Sequence, residues 1–350
     1  MQIQKESAYD YTYWGNHRYP AVSPFAICYL LFAISSVKLF YLNPTYPELD
    51  LEENVLKGTG IELVRYKVNS DADIASVSDQ IDAILTDTAP ITRQTVSYLK
   101  RCKIVVRLGV GFDVVDGGAC RERGIVVCNV PEYGVEEVAN HAVALLFAVH
   151  RHILPYDHKV RQKGWGYQTD WPIRRLSKQK VGVIGIGRIG AQFASRIKPF
   201  VSEVAAYDPG LPPDQIEKRG AVPQDLRPLL ESADLISLHL PLSERTHHLI
   251  NQETISWMQR QPILVNVSRG GLIDSGALAA GLRERKLSGA GLDVFEHEPA
   301  VPDEYLDLPN VVLSPHVAWY SEEASQQLRT SAVRTIADFL TGKPAVNVVN

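Results

Sequence analysis

Residues 314–321, which read S-P-H-V-A-W-Y-S, place a histidine and a large aromatic ring just after a predicted strand. A histidine side chain suits proton transfer near neutral pH, so His316 could carry a proton to or from a reacting molecule. Trp319 lies three residues further on, and it could either border a small pocket or only pack between elements. The rest of the sequence must decide between these two interpretations.

Two more ionisable side chains follow predicted strands in the same half of the chain. Arg269 comes directly after I-L-V-N-V-S, and Glu298 comes shortly after G-L-D-V-F. A guanidinium offers a planar fork for a carboxylate, and a glutamate beside His316 would favour the imidazolium and fix its tautomer. Taken singly, these residues could be a surface ion-pair partner, a packed histidine and a solvated acid. Together, at one sheet edge behind a dinucleotide motif, they favour catalysis.

That motif is G-I-G-R-I-G, with glycines at 185, 187 and 190, between the strand V-G-V-I and a helix-compatible stretch. Such glycines allow a tight turn, close approach of a pyrophosphate and close helix packing. Asp208 ends the next predicted strand, where a carboxylate could bind ribose hydroxyls and repel a 2′-phosphate. The pattern predicts NAD rather than NADP, the alternative being an ordinary strand-to-helix turn with a surface aspartate.

These residues belong to two series of short β-type runs that alternate with helix-compatible stretches, which predicts an α/β fold with parallel sheets. The first series begins at residue 37 and the second at residue 180. Between them lie a long helix candidate, 136–152, and a stretch rich in Trp, Gly and Pro, 163–172. A final helix is predicted over 321–340, and Gly342 follows it at a C-cap position.

Composition limits the functional classes. The chain has 350 residues, 45% hydrophobic and 22% charged, which is ordinary for a globular protein of two domains. A net charge of −4 argues against a general nucleic-acid binder. The four cysteines show no C-x-x-C spacing and are predicted to be reduced thiols rather than a disulfide framework or zinc site.

The first 36 residues do not fit this pattern. The apolar run 25–34 has ten residues, too few to cross a bilayer as a helix. A signal peptide is disfavoured because its charged region would be unusually long and would contain Glu6 and Asp10. The segment is predicted to be a poorly ordered extension or a short packed helix, and an overlong start-codon assignment is the remaining alternative.

Four motifs, in this order and spacing, resemble the D-isomer-specific 2-hydroxyacid dehydrogenases: V-G-V-I-G-I-G-R-I-G, V-N-V-S-R-G-G-L-I-D, G-L-D-V-F-E-H-E-P and S-P-H-V-A-W-Y-S. The resemblance runs from about residue 37 to residue 350. Within the family, V-V-R-L-G-V-G-F-D, C-N-V-P and H-V-A-W-Y-S-E-E-A are most similar to the branch related to the C-terminal binding proteins.

The resemblance implies roles for individual residues. Arg269 would bind the substrate carboxylate and carbonyl, Glu298 would partner the histidine, and His316 would be the acid/base. Glu296 also flanks His297, but the family's partner is the acid directly before proline, which is Glu298. The implied substrate-binding residues are Arg107, Gly109, Val110, Gly111 and Trp319. The implied cofactor-binding residues are Gly185, Gly187, Arg188, Ile189, Gly190, Asp208, His239, Pro241, Val267, Ser268 and Asp293, with Asp293 contacting the nicotinamide amide.

The resemblance also implies the architecture: two doubly wound parallel-sheet domains, with a Rossmann NAD-binding domain inserted into a flavodoxin-like substrate domain. The substrate domain would comprise residues 37–129 and 318–350, and the NAD-binding domain residues 130–317, after the extension 1–36. Helix 136–152 and the arm after it resemble the family's dimer-forming elements. A cytoplasmic homodimer without membrane or nucleic-acid partners is therefore expected.

The predicted function is NAD-dependent reduction of a small 2-oxo acid, similar to glyoxylate or hydroxypyruvate. One alternative is an NAD-sensing corepressor-like binding protein on the same fold, although such a protein usually has tails beyond the fold and this chain ends soon after its last helix. Another is an enzyme of a different class that uses bound NAD, such as a hydrolase. No metal is predicted, since no acids or thiols complete the pairs His150/His152 and His247/His248, which are expected in surface or capping positions.

Overall fold

The structure, a computed structural model, describes residues 36–169 and 171–350. The predicted N-terminal extension, apart from residue 36, lies outside the described residues, as do the run 25–34 and Cys28. Residues 38–350 form one compact unit that contains two separate sheets. Within the described ranges, no helix combines the length and the apolar character that crossing a membrane requires.

The first sheet has five strands in the order β2-β1-β3-β4-β5, which is the flavodoxin-like arrangement. The pairs β1–β3, β3–β4 and β4–β5 are parallel. The strands are β1 Val37–Leu42, β2 Ile61–Tyr66, β3 Ala83–Thr86, β4 Ile104–Arg107 and β5 Val126–Cys128. The helices between them are α1 Asp50–Leu56, α2 Asp71–Val77, α3 Arg93–Tyr98 and α4 Gly117–Glu122.

The second sheet has seven parallel strands in the order β12-β11-β10-β9-β6-β7-β8. Counted from β6 within this sheet, the order is 3-2-1-4-5-6 with one further strand, as in a Rossmann fold. The strands are β6 Lys180–Ile184, β7 Glu203–Tyr207, β8 Val222–Pro223, β9 Leu235–Leu238, β10 Ile263–Asn266, β11 Gly289–Leu292 and β12 Val311–Leu313. The remaining helices are α5 Val135–His150, α6 Ile153–Arg161, α7 Arg188–Ile197, α8 Pro213–Lys218, α9 Leu226–Ser232, α10 Gln252–Ser256, α11 Ser275–Arg283, α12 Asp303–Leu306 and α13 Glu322–Leu340.

Both sheets are covered on their two faces by apolar side chains, as expected for parallel sheets. The C-terminal helix α13 contributes Leu328, Val333 and Ile336 to the core that contains Leu39, Leu85 and Val106 of the first sheet. Helix α5 instead packs Ala142 and Leu146 with Val183 and Val265 of the second sheet. The chain therefore leaves the first sheet, builds the second and returns to the first. The residue-level domain limits stay predictions.

Local sequence explains where α13 begins. The side chain of Ser321 accepts a hydrogen bond from the N–H of Ala324, which caps the helix, and Glu322 and Glu323 occupy the favourable first turn. Ser321 also donates to Glu137 of α5 at 2.8 Å. At the other end, Gly342 has a left-handed φ of 97°, in agreement with its predicted C-cap role.

One predicted helix is shorter in the structure than in the sequence pattern. Helix α5 ends at His150 rather than at residue 152, because His152 has a left-handed φ of 53° and starts α6 in a new direction. His150 is buried within the last turn of α5, so the prediction of a surface or capping position is wrong for it, whereas His152 is also buried but occupies the N-cap of α6. His150 packs through a 2.9 Å hydrogen bond to Gln179, and burial lowers the pKa of each ring.

Candidate active site

The carboxyl ends of the strands in the second sheet lie in register, which brings distant residues to one edge. Leu238 pairs with both Ile184 and Asn266, and Asn266 pairs with Leu292. The residues that follow these positions, Gly185, His239, Val267 and Asp293, therefore stand side by side at the edge where ligands bind in such folds.

The glycine turn between β6 and α7 has little room for side chains. Gly185 has a φ of 90°, and a Cβ there would collide with the backbone of His239 and Leu240. A Cβ at Gly190 would collide with the carbonyl of Gly185. Gly187, which caps α7, faces open space that a side chain would fill. Arg188 and Ile189 follow in the first turn of α7, so their N–H groups lie at the positive end of the helix dipole. This cradle fits the pyrophosphate of a dinucleotide.

Asp208 is held against this turn. Its Oδ2 accepts the N–H of Ile186 and its Oδ1 accepts the N–H of Gly210, each at 2.9 Å. Carboxylate oxygens retain free lone pairs after one such bond, so ribose hydroxyls could still donate to Asp208. The guanidinium of Arg219 donates to the carbonyl of Ile186, which places a cation at the same turn. The sequence did not identify Arg219.

Four of the other predicted cofactor residues lie along the same edge. Nε2 of His239 shares a 2.8 Å hydrogen bond with the hydroxyl of Ser237. Burial lowers the pKa of His239 to about 3, so the ring is neutral. The side chain of Ser268 donates to the carbonyl of Leu238, and Val267 beside it is buried. Pro241 is exposed, and its carbonyl accepts the hydroxyl of Thr246.

Asp293 is fully buried, and its contacts fix the turn that carries the histidine. Its carboxylate accepts the hydroxyl of Ser314 at 2.6 Å and the N–H groups of Val317 and Ala318 at 3.0 and 2.9 Å. Its backbone carbonyl accepts the N–H of His316 at 2.8 Å. The left-handed φ of 55° at His316 is thus maintained by bonds on both sides of the residue. The contact between Asp293 and the nicotinamide amide stays a prediction.

The structure places Glu298, not Glu296, beside His316. Nδ1 of His316 lies 2.6 Å from Oε2 of Glu298, and the other Glu298 oxygen accepts the N–H of Phe295 at 3.1 Å. Burial by itself would raise the pKa of Glu298, but the bond to His316, the N–H of Phe295 and the charge of Arg269 outweigh it and lower the pKa. The carboxylate therefore stays ionised next to the imidazole.

Arg269 reaches across to the loop after β4. Its Nε lies 3.2 Å from Oδ1 of Asp113, and its Nη1 donates to the carbonyl of Ser268 at 2.8 Å. Burial would raise the pKa of Asp113, but the Arg269 charge and hydrogen bond lower it overall. A Cβ at Gly111 would overlap the Arg269 guanidinium, so this position needs glycine for the arginine to lie against the backbone.

Arg107, the last residue of β4, lies beside the same loop. A Cβ at Gly109 would overlap its guanidinium, and Gly109 has a φ of 145°. Its Nη2 lies 3.7 Å from Oδ1 of Asp87. Burial, with the charge of Arg269, lowers the pKa of Arg107 although Asp87 opposes the shift. The charge of Arg269 therefore affects Arg107. Two guanidinium groups this close together are the arrangement expected for binding a single carboxylate.

The loop Gly109–Gly111, which both arginines contact, also offers backbone hydrogen-bond donors. The N–H groups of Val110 and Gly111 have no hydrogen-bond partner within residues 36–169 and 171–350. The carbonyl of Val110 is held by the side-chain amide of Asn129 at 2.6 Å, which fixes the loop. Free N–H groups beside two guanidinium ions suit the binding of an oxyanion or a carbonyl oxygen.

Trp319 packs against the apolar cores of both sheets. Its ring makes edge contacts with Tyr133 and Tyr320, with centroid distances of 6.0 and 5.6 Å. The ring is half-buried, so part of it stays accessible. These contacts support the packing alternative as well as the predicted role beside the substrate, and that role stays a prediction.

Three further side chains with possible metal-ligand atoms come together around Glu296, two residues before Glu298. His247, His248 and Glu296 place one donor atom each within 4.8 Å of one another, so the expectation that no acid would complete this histidine pair is wrong. Nε2 of His248 lies 2.6 Å from Glu296, whose other oxygen accepts the N–H of Ser275. These bonds already use both Glu296 oxygens to join two loops. The absence of a metal stays a prediction.

Several polar residues outside the implied set of site residues interact with that set. Asp87, Tyr133 and Tyr46 interact electrostatically with Arg107 or with one another. Burial raises the pKa of Tyr133 to about 12, so its hydroxyl stays a hydrogen-bond donor. His141 of α5 lies 2.9 Å from Ser314 and so joins the network around Asp293. Asp87 ends the predicted run A-I-L-T-D, and the sequence predicts that loops around Tyr46 and 86–92 recognise the size and charge of the substrate, whereas Tyr133 and His141 carry no such signal.

The cysteines agree with the prediction of reduced thiols. Cys102, Cys120 and Cys128 are buried and free. Burial raises the pKa of Cys120 and of Cys128 to about 11, so neither is a reactive thiolate at neutral pH.

Comparison with known proteins agrees with this geometry. A family model described as "D-isomer specific 2-hydroxyacid dehydrogenase, NAD binding domain" matches residues 143–318. The chain is 37% identical to glycerate dehydrogenase of Methylorubrum extorquens over 76% of its own length and 84% of that protein. It is 36% identical to glyoxylate reductase of Korarchaeum cryptofilum, covering 87% and 90% of the two chains. It is also 33% identical to D-3-phosphoglycerate dehydrogenase of Methanocaldococcus jannaschii, but it spans only 59% of that relative.

Solved structures share the fold. An acyclic imino acid reductase in complex with NADPH and D-Arg superimposes with a TM-score of 0.80 and 28% identity, covering 90% of this chain and 100% of the other. D-lactate dehydrogenase of Aquifex aeolicus, complexed with NAD and lactic acid, gives 0.78 and 27%, covering 87% and 96%. The predicted fold, the family resemblance and the predicted NAD cofactor are confirmed. With its glycine cradle, its His316–Glu298 pair and its two arginines at adjoining sheet edges, the chain belongs to the D-isomer specific 2-hydroxyacid dehydrogenase family.

Proposed function

We propose that this chain is an NAD-dependent D-2-hydroxyacid dehydrogenase that reduces a small 2-oxo acid of the glyoxylate or hydroxypyruvate kind. The observation that carries the proposal is the 2.6 Å contact between His316 and Glu298 beside two arginines and two free backbone N–H groups. A proton donor, its anionic partner and a carboxylate-binding group are the parts that reduction of a 2-oxo acid requires from the protein.

The arginines would bind and orient the substrate. Arg269 uses Nε for Asp113 and places Nη2 against Gly111, and the guanidinium of Arg107 lies against Gly109 of the same loop. A carboxylate held between these groups would leave the neighbouring carbonyl oxygen near the N–H groups of Val110 and Gly111. Donors fixed in advance stabilise the negative charge that develops on that oxygen during reduction.

His316 would supply the proton. Its Nδ1 is engaged by Glu298, so Nε2 is the nitrogen that can donate to the new hydroxyl and take the proton back in the reverse direction. The ionised Glu298 stabilises the protonated ring and holds it in one orientation. Asp293 fixes the backbone of the same turn, so the ring position depends on two carboxylates.

NAD would bind along the adjoining edge. The cradle at Gly185, Gly187 and Gly190 would hold the pyrophosphate, and Asp208 would accept bonds from the ribose. When bound, the reduced nicotinamide supplies the hydride for the carbonyl carbon. The neutral, buried His239 and the small Ser268 border the edge between the cradle and Asp293 without adding charge.

The test is NADH oxidation, followed by absorbance, against glyoxylate, hydroxypyruvate, pyruvate and phenylpyruvate, with NADPH in parallel. Turnover of the short acids with NADH is the expected result. NADH binding without oxidation of NADH in the presence of any 2-oxo acid would contradict the proposal and favour an NAD-sensing binding protein.

We also propose that the protein acts as a homodimer in the cytoplasm. Helix α6 has no buried residue and exposes Ile153, Leu154 and Val160, and the arm after it exposes 89% of Trp165 and 82% of Tyr167. Apolar exposure of this extent is typical of a surface that a second chain covers. Light scattering after size exclusion should give about twice 38.9 kDa. The mass of a single chain would contradict a dimer.

A further inference from the structure

The cations beside the Gly109–Gly111 loop and in the turn after β12 are each paired with an acid. Arg107 lies beside Asp87, Arg269 beside Asp113, and His316 beside Glu298. A fourth cation at the same end of the first sheet, Arg329 of α13, is bound by both oxygens of Glu52. One substrate carboxylate would add a single negative charge to a site that already contains as many acids as cations.

Asp87 differs from the other three acids in its position. It follows β3 directly, and because Thr86 pairs with Arg107, it stands at the sheet edge next to the arginine. The contacts of Asp87 with its nearest described partners are long: Nη2 of Arg107 lies at 3.7 Å and the hydroxyl of Thr45 at 3.4 Å. By contrast, Glu298 and Glu52 make bonds of 2.6 Å to their cations.

Asp87 also interacts electrostatically with the candidate proton donor. Burial raises its pKa, while the charges of Arg107 and His316 oppose the shift, so Asp87 lies within electrostatic range of His316. The hydroxyl of Tyr41 is buried nearby, and burial together with the charge of Asp87 raises the pKa of Tyr41. Two tyrosines, Tyr46 and Tyr133, are affected by the Asp87 charge as well. The end of the cleft formed by β1, β3 and β4 is thus polar, and its net charge does not favour an anion.

We infer that Asp87 determines substrate specificity by excluding 2-oxo acids that carry a second anionic group and by favouring a small R group that is uncharged or donates a hydrogen bond. The inference rests on the proposed function and makes it narrower. A hydroxymethyl group, as in hydroxypyruvate, could donate to Asp87, whereas a second carboxylate or a phosphate would meet a like charge in a partly desolvated site. Within the described residues around the cleft, every arginine that could compensate such an anion already has an acidic partner.

The experiment compares kcat/KM for glyoxylate, hydroxypyruvate and oxaloacetate in the wild type, Asp87→Asn and Asp87→Ser. Glyoxylate has no R group beyond hydrogen, so it reports on the reaction itself. The wild type should prefer hydroxypyruvate to oxaloacetate. Both variants should reduce this preference at least about tenfold, because a like charge at close range in a partly buried site is removed.

Asp82→Asn is the matched control. Asp82 precedes β3 whereas Asp87 follows it, and Asp82 is also paired with an arginine, Arg101, at 2.8 Å. The same charge change at the far end of the strand should leave the substrate preference as in the wild type. Equal losses with all three substrates in the Asp87 variants, or an unchanged preference, would overturn the inference. A wild type that oxidises NADH with none of the three would instead contradict the proposed function.

Discussion

Nδ1 of His316 lies 2.6 Å from Oε2 of Glu298, and both residues are held by the backbone around them. Glu298 accepts the N–H of Phe295, and the N–H of His316 donates to the carbonyl of Asp293. The orientation of the imidazole is therefore fixed before a substrate binds. This preorganisation is the structural basis of the first two predictions.

The first prediction concerns the proton donor. His316→Ala should lower kcat by about two to four orders of magnitude, the range expected for a positioned acid/base. The dissociation constant of NADH should change little, since the glycine cradle is unaltered. Steady-state kinetics and fluorescence titration with NADH measure the two quantities. His297→Ala, at an exposed position between Glu296 and Glu298, serves as the control and should retain wild-type kcat. Near wild-type turnover of His316→Ala would remove the residue from the mechanism.

The second prediction concerns Glu298→Gln. The pKa of Glu298 is lowered, so in the wild type it stays ionised at mildly acidic pH and stabilises the protonated imidazole. An amide lacks that charge, so the ring of the variant should lose its proton more readily. Because reduction needs the protonated form, kcat for reduction should fall at a lower pH than in the wild type. A pH profile measures this. Reduced kcat with an unmoved profile would mean that Glu298 acts only through packing.

The third prediction concerns the cofactor. Asp208 should make NADH more efficient than NADPH in kcat/KM, because it would oppose the 2′-phosphate. Asp208→Asn should narrow this difference at least about tenfold, since Arg219 at the same turn could then pair with the phosphate. The double variant with Arg219→Gln should lose the gain with NADPH. Equal efficiency of NADH and NADPH in the wild type would show that Asp208 does not face the ribose.

Sequence patterns predicted the parts of the site that depend on short stretches of chain. The glycine turn follows from Gly185, Gly187 and Gly190 alone, because a strand, a tight turn and a helix are local features. The family motifs around Arg269, Glu298 and His316 likewise lie on strands whose register fixes their common edge. Strands as short as β5 and β8 were not predicted, since three and two residues show no period.

The remaining parts depend on contacts between distant segments. Asp87 and His316 interact electrostatically although they follow strands of different sheets, and no local pattern records that. Glu296 and Glu298 are two residues apart, yet each pairs with a different histidine, His248 and His316. The burial of His150 and His152 follows from the break between α5 and α6, which a continuous helical pattern conceals.

The fourth prediction concerns stability and pH. Burial lowers the pKa of His239 to about 3, below its ordinary value of 6.5. The unfolded chain therefore takes up a proton at this residue as pH falls below 6.5, whereas the folded chain does not, and stability decreases. Between pH 7 and pH 5 this should cost about 1–2 kcal/mol.

His239→Gln should lose correspondingly less unfolding free energy over the same interval, as measured by urea denaturation at each pH. His158→Gln, at an exposed histidine of α6, is the control and should follow the wild type. If His239→Gln loses as much stability on acidification as the wild type does, the buried ring is not the source of the pH dependence.

The last prediction concerns Trp319. Its ring packs on both cores and against Tyr133, yet part of it stays accessible near the turn that carries His316. If it borders the substrate, Trp319→Ala should move preference from glyoxylate and hydroxypyruvate toward longer or aromatic 2-oxo acids. The relative kcat/KM should change at least about tenfold, since one or two methylenes in a pocket are worth about 1–3 kcal/mol. Trp257→Ala, at a tryptophan near Arg227 and away from the turn, provides the control. An equal loss with every substrate, accompanied by a lower Tm, would show that Trp319 only joins the two cores.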